Sequence, residues 1–479
     1  RRRRGAGGDP ARGGGRRPAR VTPPRLRASA ARILPLAWPV LIGQLAVLAF
    51  GTVDTVLVAR ASTRDLAALA IGGATYVSIF IGLMGVVLAI GPIAGQLFGA
   101  RQLHEAGRQL HQAVWLALAL SVVGCTLLLF PQPFLALSQA SPEVSAKVRG
   151  YLAALALALP AALVFAAFRG FNTSVSRPKV VMVLQLGGLA VKVPLSAWFV
   201  FGGAGLPPLG AVGCGLATAL VMWGQLLIAW TIVRRDPFYA AFGLHAGGVA
   251  RPDRASQKAL LRLGVPMGLA VLIEVTGFTF MAFFIARMGT TAVAGHQIAA
   301  NLVAMLFMVP MSLGSATATL VAQRIGAADL PDARRLGWHG LQIALLIATG
   351  LGCTVFLGRE AILGLYTGNA TIVAAAMPLL AWVALFHLGD AGQAVVSSVL
   401  RAHRITTMPL VIYAVAIWGI GMGGGFALAF DTLGGTPPSL VGARGFWVAA
   451  TVGLAVAALG LGGFLHWVLR RRAQEAAAA

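Results

Sequence analysis

A chain of 479 residues in which 58% are hydrophobic and only 11% charged cannot coat a soluble globule, which carries charge on about a quarter of its residues. The formal charge of +24, from 38 Lys and Arg against 14 Asp and Glu, would suggest nucleic acid on a soluble protein. Scattered here over tails and short loops, it points to lipid headgroups and membrane orientation, and no nucleic-acid partner is expected.

In chain order, residues 1–32 read as a basic, disordered cytoplasmic tail rich in Arg, Gly and Pro. Twelve apolar segments follow, each long enough to cross a bilayer as a helix. The first, 33–59, carries Pro39, Gln44 and Asp54. The second, 66–98, ends in GPIAGQLFG, whose small residues allow close helix approach. Segments 107–130, 144–168, 178–201 and 210–233 complete the first half, and the fifth holds Lys192 and Ser196. A basic loop, 234–259, joins the halves. Segment 260–286 holds Glu274, 292–323 holds Gln297 and Asn301, and 336–357 is plain. Segment 371–400 holds Asp390 and Gln393, and 408–430 and 443–469 precede a tail at 470–479. Cys125, Cys214 and Cys353 lie in apolar stretches without metal-ligand spacing and read as small hydrophobes.

The halves repeat. At a shift of 227, Pro39 falls on Pro266, Arg60 on Arg287, and Gln96, Gly99 and Ala100 on Gln323, Gly326 and Ala327. Arg169 with Pro178 echoes Arg401 with Pro409. The expected fold is therefore an all-α polytopic membrane protein of two six-helix lobes, 33–233 and 260–469, related by a pseudo-two-fold axis along the membrane normal. With alternating spans, loops on the N-terminal side hold sixteen basic residues, Arg169 and Arg401 among them, against seven on the far side. The positive-inside rule then puts both termini in the cytoplasm.

Four charges fall inside the segments: Asp54, Lys192, Glu274 and Asp390. A charge at mid-bilayer costs at least about 2.5–3.5 kcal/mol, so such residues face a cavity or a partner. At 1.5 Å rise per residue, Glu274 lies roughly 20 Å below Arg287 and Asp390 roughly 16 Å above Arg401, both near mid-membrane. The two carboxylates are expected to share one cation site. Lys192 lies within roughly 5 Å of the depth of Asp54 and is expected to be its counter-charge. No HExxH, GxSxG or Walker A pattern and no spaced Cys/His cluster is present. Any pumping would then have to draw on an ion gradient or a partner.

TVDTVLVAR with LAALAIGG, GPIAGQLFGA, VPLSAWFVFGGAGLPPLGAVGCGLAT, AGHQIAANLVAMLFMVPMSLGSATATLVAQRIGAA and FHLGDAGQAVVSSVLRAHR resemble the multidrug and toxic compound extrusion (MATE) transporters, closest to their NorM-like bacterial branch. The resemblance runs over roughly residues 33–469. It implies that Asp54 is the N-lobe acid tied to proton coupling or drug release, and that Glu274 and Asp390 form the C-lobe cation site. Lys192 and Ser196 stand where NorM-like members often carry asparagine.

The expectation is an antiporter, not an enzyme, in a bacterial inner membrane. It would act as a monomer and export cationic amphiphilic drugs or toxins in exchange for Na+ or H+. Glu274, Asp390 and Asp54 are the expected coupling acids, with Glu274 and Asp390 holding any metal ion. Gln44, Lys192, Ser196, Gln297, Asn301 and Gln393 are the expected cavity residues, and no cofactor is expected beyond the coupling ion. A lipid-linked saccharide flippase and a membrane-embedded enzyme are the alternatives. The first needs a strongly cationic cavity, whereas three acids against one Lys are expected here.

Overall fold

The computed structural model describes residues 26–138, 141–203, 205–245, 248–432 and 434–478; residues 1–25 of the expected tail lie outside them. The first lobe is built from α1 (Leu26–Ala61), α2 (Thr63–Val87), α3 (Ile90–Gly99), α4 (Leu103–Leu129), the short α5 (Gln132–Ser138), α6 (Pro142–Ser174), α7 (Pro178–Phe201) and α8 (Ala211–Arg235). The second holds α9 (Arg254–Ala286), α10 (Thr290–Gly326), α11 (Leu330–Tyr366), α12 (Ala370–Ala402), α13 (Thr407–Tyr413), a π-helical stretch Ala414–Gly424, α14 (Gly425–Ala429) and α15 (Ala443–Ala478). Among the described residues, twelve helical spans are long and apolar enough to cross a membrane, as expected. Large apolar side chains such as Leu357 and Leu365 stand 80% and 88% exposed, which suits lipid and not water.

Several boundaries differ from the sequence expectation, among them α6, which ends at Ser174 rather than at 168, and α11, which runs Leu330–Tyr366 rather than 336–357. α1 begins at Leu26 rather than at 33, and α15 runs on through 470–478. The second span breaks between α2 and α3, because Pro92 has no N–H to offer the Leu88 carbonyl and the Gly91 N–H takes it at 3.0 Å. The eleventh span is partly π-helical, with a looser hydrogen-bond ladder than an α-helix.

α6 packs along α2, α4 and α8 in the first lobe, and α12 packs along α10, α11 and α15 in the second. The lobes meet where α1 and α3 touch α10 and where α2 touches α9. At the foot of the bundle, the end at which α1 begins, this meeting is reciprocal. Gly99 packs against the Gln323 carbonyl and Gly326 against the Gln96 carbonyl, so closely that a methyl group on either would overlap backbone. The Gln96 amide donates to the Ala402 carbonyl at 2.8 Å, and the Gln323 amide donates to the Ser174 carbonyl at 2.8 Å. Ala402 and Ser174 are the last residues of α12 and α6. Carbonyls at a helix end have no partner within the helix, so each lobe caps a helix of the other. Gly99→Ala or Gly326→Ala is expected to cost about 1–3 kcal/mol through overpacking, read as a lowered thermal midpoint in detergent; two unshifted midpoints would contradict the close crossing.

The helices that open each lobe also trade places at the foot. On α1, Arg32 pairs with Asp332 of α11 at 2.9 Å and Ser29 bonds His339 of α11 at 2.7 Å. On α9, the Ser256 hydroxyl accepts from Gln109 at 3.1 Å and the Gln257 amide donates to the Gln112 carbonyl at 2.8 Å, both on α4. Ile33 and Ala37 of α1 accordingly sit in the core of the second lobe, and Leu260, Leu263 and Met267 of α9 in that of the first. Between the lobes, a 3-10 turn at Pro237–Phe242 lies against the first lobe. The Phe238 amide and the Arg177 guanidinium, the latter at 2.6 Å, hold the Asp236 carboxyl below its ordinary range.

Candidate functional site

Mid-bundle, a cavity of about 290 Å³ opens between the lobes. Gln44 of α1, Met84 of α2, Arg169 of α6 and Gln185 of α7 line one side; Glu274 of α9, Met311 of α10, Gln393 and Arg401 of α12 and Tyr413 of α13 line the other. The walls are mostly apolar with a few convergent polar groups, the usual make-up of a small-molecule site.

On the second-lobe side, the Gln393 amide nitrogen donates to Glu274 Oε1 at 3.1 Å and to Asp390 Oδ1 at 3.0 Å. One nitrogen reaching both oxygens places them no more than about 6 Å apart. The Tyr413 hydroxyl donates to the Gln393 side-chain carbonyl. That bond fixes which end of the amide faces the acids, since the amide oxygen is already taken. Asp390 lies behind Gln393, 3% exposed, whereas Glu274 is half-buried on the cavity wall. Gln393 uses one lone pair of each carboxylate; an ionised carboxylate has about four acceptor positions, so most remain for a cation or a proton. Among the described residues no cluster of three or more His, Cys, Asp or Glu side chains gathers as a metal site. Any ion held here would rely on the two acids together with neutral oxygens.

On the first-lobe side the arrangement is closed on itself. Lys192 of α7, fully buried, lies 3.0 Å from Asp54 Oδ1 and donates to Thr218 Oγ1 of α8 at 2.7 Å. Ser196 donates to the same Asp54 oxygen at 3.2 Å, and the Lys192 ammonium sits 5.5 Å from the Phe50 ring centroid. Asp54, Lys192 and Ser196 thus form one buried cluster away from the cavity wall. Lys192 stands beside Asp54 as its depth predicts. Gln44 and Gln393 line the cavity; Gln297 and Asn301 do not, and bond each other at 3.1 Å on an exposed stretch of α10.

The charge expected of the cavity needs correction. Arg169 and Arg401, read from sequence as loop residues, lie within helices and line the wall, so two guanidiniums and one carboxylate face the cavity, and the argument from three acids against one Lys does not hold. Tyr413 was also missed. The matching of Arg169 with Arg401 across the repeat was the available signal for the arginines; Tyr413 has no counterpart signal in the sequence.

Twelve spans in two lobes, with a cavity lined from both sides and buried carboxylates beside it, define a polytopic membrane transporter. The MatE family model matches residues 39–198 and 266–426, and the chain belongs to this family, in its NorM-like bacterial branch. It is 38% identical to the probable multidrug resistance protein NorM of Aromatoleum aromaticum, over 92% of this chain and 95% of that one. It is 35% identical to the multidrug resistance protein PmpM of Pseudomonas aeruginosa, over 91% of each. The fold superimposes on the crystal structure of the eukaryotic MATE transporter AtDTX14 with a TM-score of 0.83 at 19% identity, over 94% of this chain and 99% of that one.

Proposed function

We propose that the chain is a monomeric antiporter that exports cationic amphiphilic compounds in exchange for Na+ or H+ by alternating access, with no cofactor beyond the coupling ion. It would sit in a bacterial inner membrane with both termini cytoplasmic. The observation that carries this reading is the pair Glu274 and Asp390, bridged by Gln393 at the edge of the inter-lobe cavity. A substrate cation and a coupling ion both need the same carboxylate charge, so binding of one displaces the other, and that competition is the coupling. Asp54, already paired with Lys192, contributes less to cation binding than Glu274 and Asp390. The relatives named as multidrug resistance proteins support drug export over a lipid-linked saccharide.

The test is dye movement in proteoliposomes under an imposed Na+ gradient and, separately, an imposed pH gradient. A fluorescent cationic dye should move against its gradient under at least one of them, and that one names the coupling ion. No movement under either would sink the reading.

A further inference from the structure

Among the described residues, Arg169 and Arg401 make no direct ion pair; the charge of Arg401 interacts with that of Glu274 at longer range, and Arg169 has no such acid. Arg169 donates to the Gln44 side-chain oxygen at 3.2 Å and to Met84 Sδ at 3.0 Å. Arg401 donates to Ser398 Oγ at 2.7 Å. All three acceptors are neutral, and a guanidinium carries five N–H donors, so most donors on each side are left to the cavity. Glu274 shares the cavity wall and interacts with Arg401 through space, but forms no direct ion pair with either guanidinium among the described residues.

Their placement is also two-sided. Arg169 belongs to α6 and Arg401 to α12, matching helices of the two lobes, and both face one cavity. Arg401 immediately precedes Ala402, and Arg169 lies five residues before Ser174, the two carbonyls at which the lobes cap each other. A cation held in low dielectric without a direct ion pair is costly, and the repeat keeps one on each side of the same space. Guanidiniums bind carboxylate and phosphate oxygens through paired N–H donors.

We propose that Arg169 and Arg401 form an anion subsite at the foot end of the central cavity, which takes the carboxylate or phosphate group of an amphiphilic molecule. The subsite deepens the transport reading and rests on the cavity being where substrate sits. With Glu274 on the same wall, the cavity then receives a cation and an anion at separate places. A molecule carrying both charges fits it better than one carrying the cation alone.

The experiment is equilibrium binding, which separates this proposal from the question of export. The purified full chain in lipid-free detergent is titrated with rhodamine B, which carries a delocalised cation and a free carboxylate, and with its ethyl ester, which keeps the cation and loses the anion. The wild type should prefer rhodamine B. Arg169→Gln combined with Arg401→Gln should lower the ratio of rhodamine B affinity to ester affinity by about 10-fold, the loss of charge-assisted bonds. The double lysine variant, which keeps both charges, should recover part of the ratio. A wild type that binds the ester as tightly as rhodamine B overturns the subsite, and needs no variant to fold. So does an unchanged ratio in a folded double glutamine variant. In phosphatidylcholine nanodiscs, competition by added phosphatidylglycerol against rhodamine B, lost in the double glutamine variant, supports the subsite and assigns it to a lipid phosphate; absence of competition, with the probe preference intact, assigns it to the small molecule. Ester export in proteoliposomes is scored separately, so export can fail while the preference holds, and the reverse.

Discussion

Glu274→Gln and Asp390→Asn should each reduce ion-driven dye export to the level of empty liposomes while leaving the protein folded. An amide still offers an oxygen to the Gln393 nitrogen that reaches Glu274 Oε1 at 3.1 Å and Asp390 Oδ1 at 3.0 Å, so the bridge survives. What is lost is the negative charge for which, in the proposed mechanism, substrate and coupling ion compete, and without it neither partner would exclude the other. Gln393→Leu probes the same site by another route: the acids keep their charge but lose their shared donor, so coupling should weaken without vanishing. Export at the wild-type rate in both amide variants would remove these acids from the mechanism.

Lys192→Met should lower stability by about 3–5 kcal/mol, because it leaves Asp54 buried without its partner. The ammonium is fully buried and 3.0 Å from the carboxylate, so little water is at hand to take its place. Restoring balance by adding Asp54→Asn should recover much of the loss, and a double-mutant cycle on thermal midpoints measures the coupling. A single variant as stable as the wild type would show that the pair contributes nothing. Methionine retains most of the aliphatic stem, so the comparison isolates the charge and its hydrogen bond to Thr218.

Most of the architecture was legible because its causes are local or repeated. Apolar runs of spanning length gave twelve helices, and matched prolines and glutamines gave two lobes. Rise per residue was enough to bring Lys192 to Asp54 and Glu274 to Asp390, since depth in a bilayer is one coordinate and helices make it linear. The second coordinate, which way a helix face turns, depends on packing between lobes. Arg169 and Arg401 fell one residue beyond the expected segments 144–168 and 371–400, and nothing in their own stretches distinguishes a cavity wall from a loop. Tyr413 was invisible for a related reason: its role is to orient an amide on another helix. The break at Leu88 has a local cause in Pro92, which lacks an N–H, whereas the π-helical stretch Ala414–Gly424 has no signature that apolar periodicity exposes.

The exchanged feet of α1 and α9 give the two lobes a mechanical relation that a simple hinge would lack. α9 is moored to α4 at Ser256 and Gln257 and, further along, meets Gln393 of its own lobe through Glu274. Pro266 lies between these two moorings and leaves the Arg262 carbonyl without its usual donor. In the proposed alternating-access cycle, α9 would act as a lever with its fulcrum at this proline, and Glu274 would ride on the arm beyond it. α1 is the mirror lever, moored to α11 at Ser29 and Arg32, with Pro35 and Pro39 at its fulcrum and Gln44 beyond. Such tilting would swing Glu274 and Gln44 relative to the walls they face, so that a change in lobe angle would be read out as a change in the geometry of the proposed cation site.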